Sequence, residues 1–167
     1  ICSGLVGSEM CIRDSRNIID DFFAAETLNF SPVEGAAEAL NALSKEAQII
    51  ILTNLPLAQK SDRQINLLNH GMDYPVIVGS GLKGPAVKSL GEKINAPLFF
   101  LDDIPHNINS VAEYVPTSGR IHMIADPRLS KLIGAAEGAS ARIDQWPEAQ
   151  AWICLLYTSD AADDETS

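Results

Sequence analysis

The stretch PLFFLDDIPHN, residues 97–107, joins an apolar run to two adjacent acids and then to a proline. Its first half is short and rich in aromatic and branched residues, which is typical of a strand buried on both faces. Pro105 indicates the start of a helix, because proline is favoured in the first helical turn. The stretch therefore predicts a strand, a turn that carries Asp102 and Asp103, and a helix.

The same alternation of apolar runs and amphipathic segments extends to both sides of this stretch. The other predicted strands are QIIILTNL (48–55), YPVIVGS (74–80) and RIHMIAD (120–126). The predicted helices are 32–45, 58–70, 84–94 and 106–114. Strands that alternate with helices predict an α/β fold with a parallel, doubly wound sheet and helices on both faces.

Local signals add detail to three of these segments. In 58–70, Ile65 and Leu68 lie together on one predicted face, and Gly71 is placed to end the helix. Asp126 and Pro127 indicate a turn followed by a new helix. The leading segment, 16–31, has apolar residues at helical spacing, with Asp20 and Asp21 on a mostly different, solvated face.

The two ends of the chain look like translated laboratory DNA. With allowed codons, GLVGSEMCIRDS (4–15) back-translates to DNA containing AGATGTGTATAAGAGACAG, and ICLLYTSDAADD (153–164) to DNA containing its reverse complement. Both strings resemble the transposase adapters used to prepare sequencing libraries. We therefore predict that residues 1–15 and 154–167 are adapter-derived tails, and we exclude them from functional reasoning.

Excluding the tails changes what the composition indicates. All three cysteines (Cys2, Cys11, Cys154) lie in the tails, and the cysteine-free remainder is in keeping with a cytoplasmic location. The chain has a net charge of −10, of which the tails supply −5, from six acids against one arginine. The remaining −5 is spread over a segment without a basic stripe, which disfavours nucleic-acid binding. No apolar run is long enough to cross a bilayer, so no membrane partner is expected.

Polar residues follow each of the first two predicted strands, where ligands bind in open α/β sheets. Thr53 and Asn54 follow the first strand, where they either bind an oxyanion or only satisfy backbone groups of the loop. Lys83 follows the second strand at a helix entrance, where a positive charge is unfavourable unless an anion lies beside it. The alternative for Lys83 is a solvated surface lysine.

Asp102 and Asp103 follow the third strand. Two adjacent carboxylates at a buried strand end repel each other and lose solvation, and a divalent cation would relieve both costs. Mg²⁺ suits such a site, because it takes oxygen ligands and binds few protein groups. The alternative is structural, with Asp103 capping the helix that begins near Pro105.

In chain order, Thr53, Lys83 and the acid pair resemble the motifs of the haloacid dehalogenase-like hydrolases, most of which are Mg²⁺-dependent phosphatases. IIILTNLP (49–56) is similar to the second motif of that family, SGLKGPAV (80–87) to the third and FFLDDIPHNINSV (99–111) to the fourth. The resemblance covers about 32–150 and implies a Rossmann-like sheet. A response-regulator receiver domain is disfavoured, because its acids precede its threonine and lysine.

The resemblance implies a role for each residue of these motifs. Thr53 and Asn54 would bind the phosphoryl oxygens, and Lys83 would stabilise the nucleophile and the charge that develops on those oxygens. Asp103, supported by Asp102, would hold Mg²⁺. Asn107 stands where the family has a second aspartate, so it is a further metal candidate. The expected substrate is a small phosphorylated metabolite, with dehalogenase and phosphonatase chemistry as alternatives within the family and the oligomeric state left open.

The first motif of the family is not found in residues 16–153. That motif is an apolar strand followed by D-x-D, which supplies the nucleophile and the general acid–base. We therefore expect an N-terminally truncated fragment, with 16–31 as the remnant of a cap or linker helix and 32–153 as a partial core domain. Such a fragment is expected to be catalytically inactive and prone to aggregation.

Two further points stay open at the level of sequence. The rival interpretation is a non-catalytic α/β binding domain in which Asp102 and Asp103 are only structural. Two histidines lie near the motifs: His106 at a helix start favours a surface or cap-facing role, and His122 within an apolar run favours a place in the core.

Overall fold

The fold is mixed α/β, as given by a computed structural model that describes residues 18–94 and 96–163, with side chains up to Tyr157. The helices are α1 (18–26), α2 (Ala36–Leu43), α3 (Lys60–Asn69), α4 (Gly84–Gly91), α5 (Pro105–Tyr114), α6 (Pro127–Ser130) and α7 (Trp146–Asp163). Short 3-10 turns lie at Thr27–Asn29 and Leu57–Gln59. The strands are β1 (Ile51–Thr53), β2 (Val76–Val78), β3 (Phe99–Asp102), β4 (Gly119–His122) and β5 (Ala141–Arg142).

The strands form two small parallel sheets. In the first, β1 pairs with β2, and Ile51 lies opposite Val76. In the second, the order is β3-β4-β5, and Asp102 lies opposite His122. The predicted α/β class with parallel strands is confirmed, and all four predicted strands are found. Within the described residues, however, the strands do not join into one continuous sheet.

The contacts divide the chain into two compact units. Of the described residues, the first unit contains 18–32 together with Ile50–Val78, and the second contains Val33–Ile49, 79–94 and 96–163. The predicted boundaries at residues 15, 31 and 153 are not tested by this division, and the proposed tail 1–15 lies outside the described residues. Within the described part of the chain, no helix is both long enough and apolar enough to cross a membrane.

The core of the second unit lies between the three-stranded sheet and the helices α2 and α7. Its buried members are Leu43, Ile121, Met123, Ala149 and Ile153. Trp152 on α7 packs edge-on against Phe99 of β3, with ring centroids 6.1 Å apart. Beyond Ile153 the described apolar side chains Leu155 and Tyr157 are exposed. The sequence analysis predicted neither α7, which supplies Ala149 and Ile153 to this core, nor β5.

Helix α2 begins later than predicted. The prediction placed its start at Pro32, but the helix begins at Ala36. The reason is Gly35, whose φ of 76° is left-handed and cannot continue a right-handed helix. A side chain there would also meet the ring of Pro147, 3.4 Å from the position of a Cβ. Ala36, Ala39 and Leu43 are therefore the buried residues of α2, whereas Val33 is exposed.

Helix α3 buries a different face from the one predicted. Ile65 and Leu68 are exposed, and Asn66 and Leu67 are buried. The Asn66 amide nitrogen donates to the carbonyl oxygens of Leu28 and Phe30, at 3.0 and 2.9 Å, which fastens the segment after α1 to α3. These long-range bonds, which local periodicity does not reveal, explain the shifted face.

The predicted end of α3 is confirmed. Gly71 has a φ of 76°, and its N–H donates to the carbonyl of Leu68. The next N–H, of Met72, donates to the carbonyl of Leu67 at 2.9 Å. These two bonds form a Schellman motif, which satisfies the last carbonyls of the helix.

Replacing Asn66 by alanine is expected to destabilise the first unit. The change leaves the carbonyls of Leu28 and Phe30 without their amide donor, and it removes the acceptor of Arg63, which lies 2.7 Å from Asn66 Oδ1. Losing these three hydrogen bonds of a buried side chain is expected to cost about 2 kcal/mol of unfolding free energy. Urea unfolding followed by circular dichroism measures the loss. The control is Asn69→Ala, at an exposed position of the same helix, and equal losses in the two variants would contradict the prediction.

Candidate functional site

The candidate site lies at the carboxyl end of β3, where Lys83 and Asp102 form an ion pair. The Lys83 Nζ is 2.7 Å from Asp102 Oδ2. Both side chains are largely withdrawn from solvent, with 15% of Lys83 and 3% of Asp102 exposed. The sequence analysis singled out both residues from different motifs, and the structure brings them into direct contact.

The Asp102 carboxylate accepts three hydrogen bonds. While Oδ2 accepts from Lys83, Oδ1 accepts from the backbone N–H of Ile104 at 2.8 Å and from the Asn107 amide nitrogen at 3.1 Å. A buried carboxylate is tolerated when charge and hydrogen bonds compensate for lost solvation, and here three donors do so. Asp102 therefore links Lys83, the turn after β3 and the first turn of α5.

The ion pair also explains why a lysine stands at the entrance of α4. Lys83 occupies the N-cap position of that helix, where the helix dipole disfavours a positive charge. The sequence analysis required an anion beside it, and the carboxylate of Asp102 is such an anion. The alternative of a solvated surface lysine is wrong, because most of the side chain is covered.

Asp103 differs from its neighbour in being exposed. The structural alternative, in which Asp103 caps α5, is not seen: the N-cap residue is Ile104, whose side chain makes no capping hydrogen bond. Within the described residues, no hydrogen bond or ion pair of the Asp103 carboxylate is found. A solvent-facing carboxylate thus stands directly beside the buried Lys83–Asp102 pair.

Helix α5 supports the site through three polar side chains. Asn107 reaches Asp102 as described above. The Ser110 hydroxyl oxygen accepts from the backbone N–H of Gly84 at 3.2 Å, which ties the start of α4, and hence Lys83, to α5. The Asn109 side-chain oxygen accepts from the N–H of Gly138 at 2.8 Å. Each of these hydrogen bonds joins a different segment of the chain to α5.

The Gly84–Ser110 contact is too close for any larger residue at position 84. A Cβ on Gly84 would overlap the Ser110 hydroxyl and lie 2.5 Å from the carbonyl oxygen of Ser110. Sequence reasoning missed Ser110 as a supporting residue. The available signal was its position three residues after Asn107, on the same side of α5.

Thr53 and Asn54 belong to the first unit. The Thr53 hydroxyl lies at the end of β1 and accepts a long hydrogen bond, 3.4 Å, from the backbone N–H of Leu55. This contact is the local backbone role that the sequence analysis kept as an alternative. Asn54 is exposed and also interacts within the protein. Their predicted role in phosphate binding alongside Lys83 stays a prediction.

The remaining polar residues named from sequence have clear places. His106 is exposed on the first turn of α5, and Asp20 and Asp21 are exposed on α1, as expected. The helix start predicted at Asp126 and Pro127 is confirmed as α6, and Asp126 caps this helix by accepting from the backbone N–H of Arg128. A hydrogen bond from the side chain of Arg128 lowers the pKa of the half-buried Asp126 carboxyl to about 2.

The donor set at β3 fits a metal ion only in part. Both oxygens of Asp102 already accept from nitrogen donors, so the free carboxylate is that of Asp103. Asn107 uses its amide nitrogen toward Asp102, which leaves its carbonyl oxygen as the atom able to ligate. Among the described residues, no group of three or more His, Cys, Asp or Glu side chains is arranged to hold a metal. Any cation here would keep most of its water, as Mg²⁺ commonly does.

Comparison of the chain with protein-family models, curated proteins and solved structures gave no match.

Proposed function

We propose that this chain carries part of the active site of a haloacid dehalogenase-like hydrolase, a Mg²⁺-dependent phosphatase that works through an aspartyl-phosphate. The observation that supports the proposal best is the buried Lys83–Asp102 pair at the carboxyl end of a parallel strand, with Asp103 exposed next to it. A purely structural ion pair needs neither the second carboxylate nor its exposure.

In the proposed mechanism the residues of this chain bind and orient. Asp102 holds the Lys83 ammonium in place, so that its positive charge faces a phosphoryl group whose oxygens gain charge in the transition state. For Thr53 and Asn54, phosphate binding is proposed from the motif IIILTNLP alone. The rigid support from α5 keeps the lysine in position before the substrate arrives, which lowers the cost of orientation.

Asp103 is the residue we assign to Mg²⁺, with Asn107 as a further candidate and Asp102 in a supporting role. When bound, Mg²⁺ would screen the repulsion between the phosphate and an attacking carboxylate. The attacking carboxylate itself is not among residues 16–153, because no apolar strand followed by D-x-D occurs there. We therefore expect no turnover of a phosphoester by this chain, with or without Mg²⁺.

Mg²⁺ binding by the chain tests the assignment of Asp103. Isothermal titration with MgCl₂ is expected to show weak, one-to-one binding, and Asp103→Asn is expected to reduce the affinity at least tenfold, because an amide oxygen lacks the negative charge of a carboxylate ligand. Circular dichroism should be unchanged, since the Asp103 side chain is exposed.

The matched control is Glu113→Gln, which removes an exposed acid from the other end of α5 and should leave Mg²⁺ binding unchanged. Equal affinities of the wild-type chain and Asp103→Asn would reject Asp103 as the ligand. They would favour the rival function, an α/β binding domain in which the acid pair is structural.

The genomic DNA upstream of the Arg16 codon provides a separate test of the enzymatic proposal. The proposal requires an apolar strand ending in D-x-D to be encoded there. A start codon without such a strand would exclude the aspartyl-phosphate mechanism. The same reading would reveal the cap, which in this family largely selects the substrate.

A further inference from the structure

His122 is a buried histidine at the end of β4, next to the turn that carries the acid pair. It has no exposed surface, and its Nε2 lies 3.1 Å from the carbonyl oxygen of Asp103. On the other side of the ring, Nδ1 lies 3.0 Å from the backbone nitrogen of Ala136. The ring therefore joins the loop before β5 to the Asp103 turn.

The hydrogen bond from Ala136 determines which ring nitrogen carries the proton. The backbone N–H of Ala136 can only donate, so Nδ1 must present its lone pair. In the neutral ring the proton then lies on Nε2 and is donated to the Asp103 carbonyl oxygen. Both ring nitrogens are thus satisfied in a place that water does not reach.

An ion pair on β5 and the segment after it supports the imidazole. Arg142 lies with one nitrogen 3.4 Å from His122 Nδ1 and donates through Nε to Asp144 Oδ1 at 2.6 Å. Burial acts to raise the pKa of the Asp144 carboxyl, but hydrogen bonds from Arg142 and from the backbone of Ile124 outweigh it and leave the pKa below its ordinary value. The arginine is also tied to the carbonyl oxygen of Ile133, at 2.8 Å.

The backbone of the Asp103 turn lies beyond the paired residues of β3 and β4, so it needs a contact of this kind to hold it. The ladder between β3 and β4 reaches Asp102, whose carbonyl accepts from the N–H of Met123 at 3.0 Å. Asp103 is the next residue, and its side chain is exposed, so the direction of the carboxylate depends on how its backbone is held. The His122 ring reaches one residue beyond the ladder and holds that backbone by its carbonyl.

We propose that His122 is a positioning residue, which aims the Asp103 carboxylate by donating from Nε2 to the Asp103 carbonyl. The effect on metal affinity rests on the Mg²⁺ site proposed above, whereas the effect on the turn does not. A core histidine that only fills space would have neither effect.

Two conservative variants of the full chain separate these possibilities. Asn at position 122 can accept from Ala136, as Nδ1 does, but is too short to donate to Asp103. Gln is long enough to replace the Nε2–H donor. We expect His122→Asn to accelerate hydrogen exchange of the Ile104 amide in metal-free protein and to weaken Mg²⁺ binding about tenfold or more. We expect His122→Gln to stay within a few-fold of wild type in both measurements.

The outcomes distinguish the two proposals. If exchange follows the expected pattern but no form of the chain binds Mg²⁺, the metal site is rejected and the positioning of the turn stands. If both variants behave like wild type, or both lose protection equally, the positioning role is rejected. Should the variants not fold, ¹⁵N spectra of the unaltered chain decide: a proton on Nδ1 instead of Nε2 would overturn the inference.

Discussion

Replacing Lys83 by methionine is expected to lower the unfolding free energy of the second unit by about 3 kcal/mol, the cost of leaving one member of a buried ion pair without its partner. Methionine keeps most of the volume but removes the charge, and Asp102, with a side chain only 3% exposed, cannot regain water without moving. Urea unfolding monitored by tryptophan fluorescence measures the change, because both tryptophans, Trp146 and Trp152, lie in this unit.

Helix α4 itself provides the control for this variant. Lys88 forms an exposed pair with Glu92, at 3.9 Å, and Lys88→Met should cost less than about 0.5 kcal/mol. The double variant Lys83→Met/Asp102→Asn also removes the unpaired negative charge of Asp102 and should recover part of the lost unfolding free energy. If Lys83→Met is no more damaging than Lys88→Met, the pair does not support the site as described.

Replacing Gly84 by alanine is expected to destabilise the second unit by about 2 kcal/mol, because the added methyl group meets the backbone carbonyl of Ser110 and forces α4 away from α5. The hydrogen bond from the Gly84 N–H to the Ser110 hydroxyl is lost in the same movement. Since Lys83 precedes this contact, the shift should also weaken its pairing with Asp102. The same fluorescence-detected unfolding measures the loss.

Gly134→Ala is the matched control, because a Cβ on Gly134 would meet no atom within 4 Å. A second measurement tests the link to the ion pair. In the Gly84→Ala background, Lys83→Met should cost clearly less than it does alone, since the pair is already weakened. Additive losses would mean that the helix contact and the pair are independent, contrary to the expectation.

The local elements of this fold could be predicted from sequence because each has a local cause. The apolar runs around Ile51, Val76, Phe99 and Ile121 all became strands. Pro105 starts α5 and Gly71 ends α3, as the backbone preferences of proline and glycine require.

The wrong or missing predictions of helices and strands concern features that local sequence does not determine. Gly35 takes a left-handed conformation and moves the start of α2, and Asn66 is buried because it bonds to carbonyls 36 and 38 residues away. Strand β5, with only two residues, is too short for a periodic signal.

The residues of the candidate site also differ in how well they could be predicted from sequence. The chemical types of Lys83, Asp102 and Asp103 were evident from their places after apolar runs, whereas the contact between Lys83 and Asp102 was not predicted, since the strands before them, β2 and β3, lie in different sheets. The residues that support them, Ser110 and His122, could not be predicted in this way. Ser110 lies 26 residues from Gly84 and His122 lies 19 from Asp103, so local periodicity does not reveal which residue either of them contacts.

Because Asn107, Asn109 and Ser110 fasten three separate segments to the ten residues of α5, that helix is a shared anchor of the site. The Asp103 turn has a second attachment, through His122 on β4. A displacement of α5 should therefore disturb Lys83 and the Gly138 segment together, while the Asp103 turn keeps its attachment to β4.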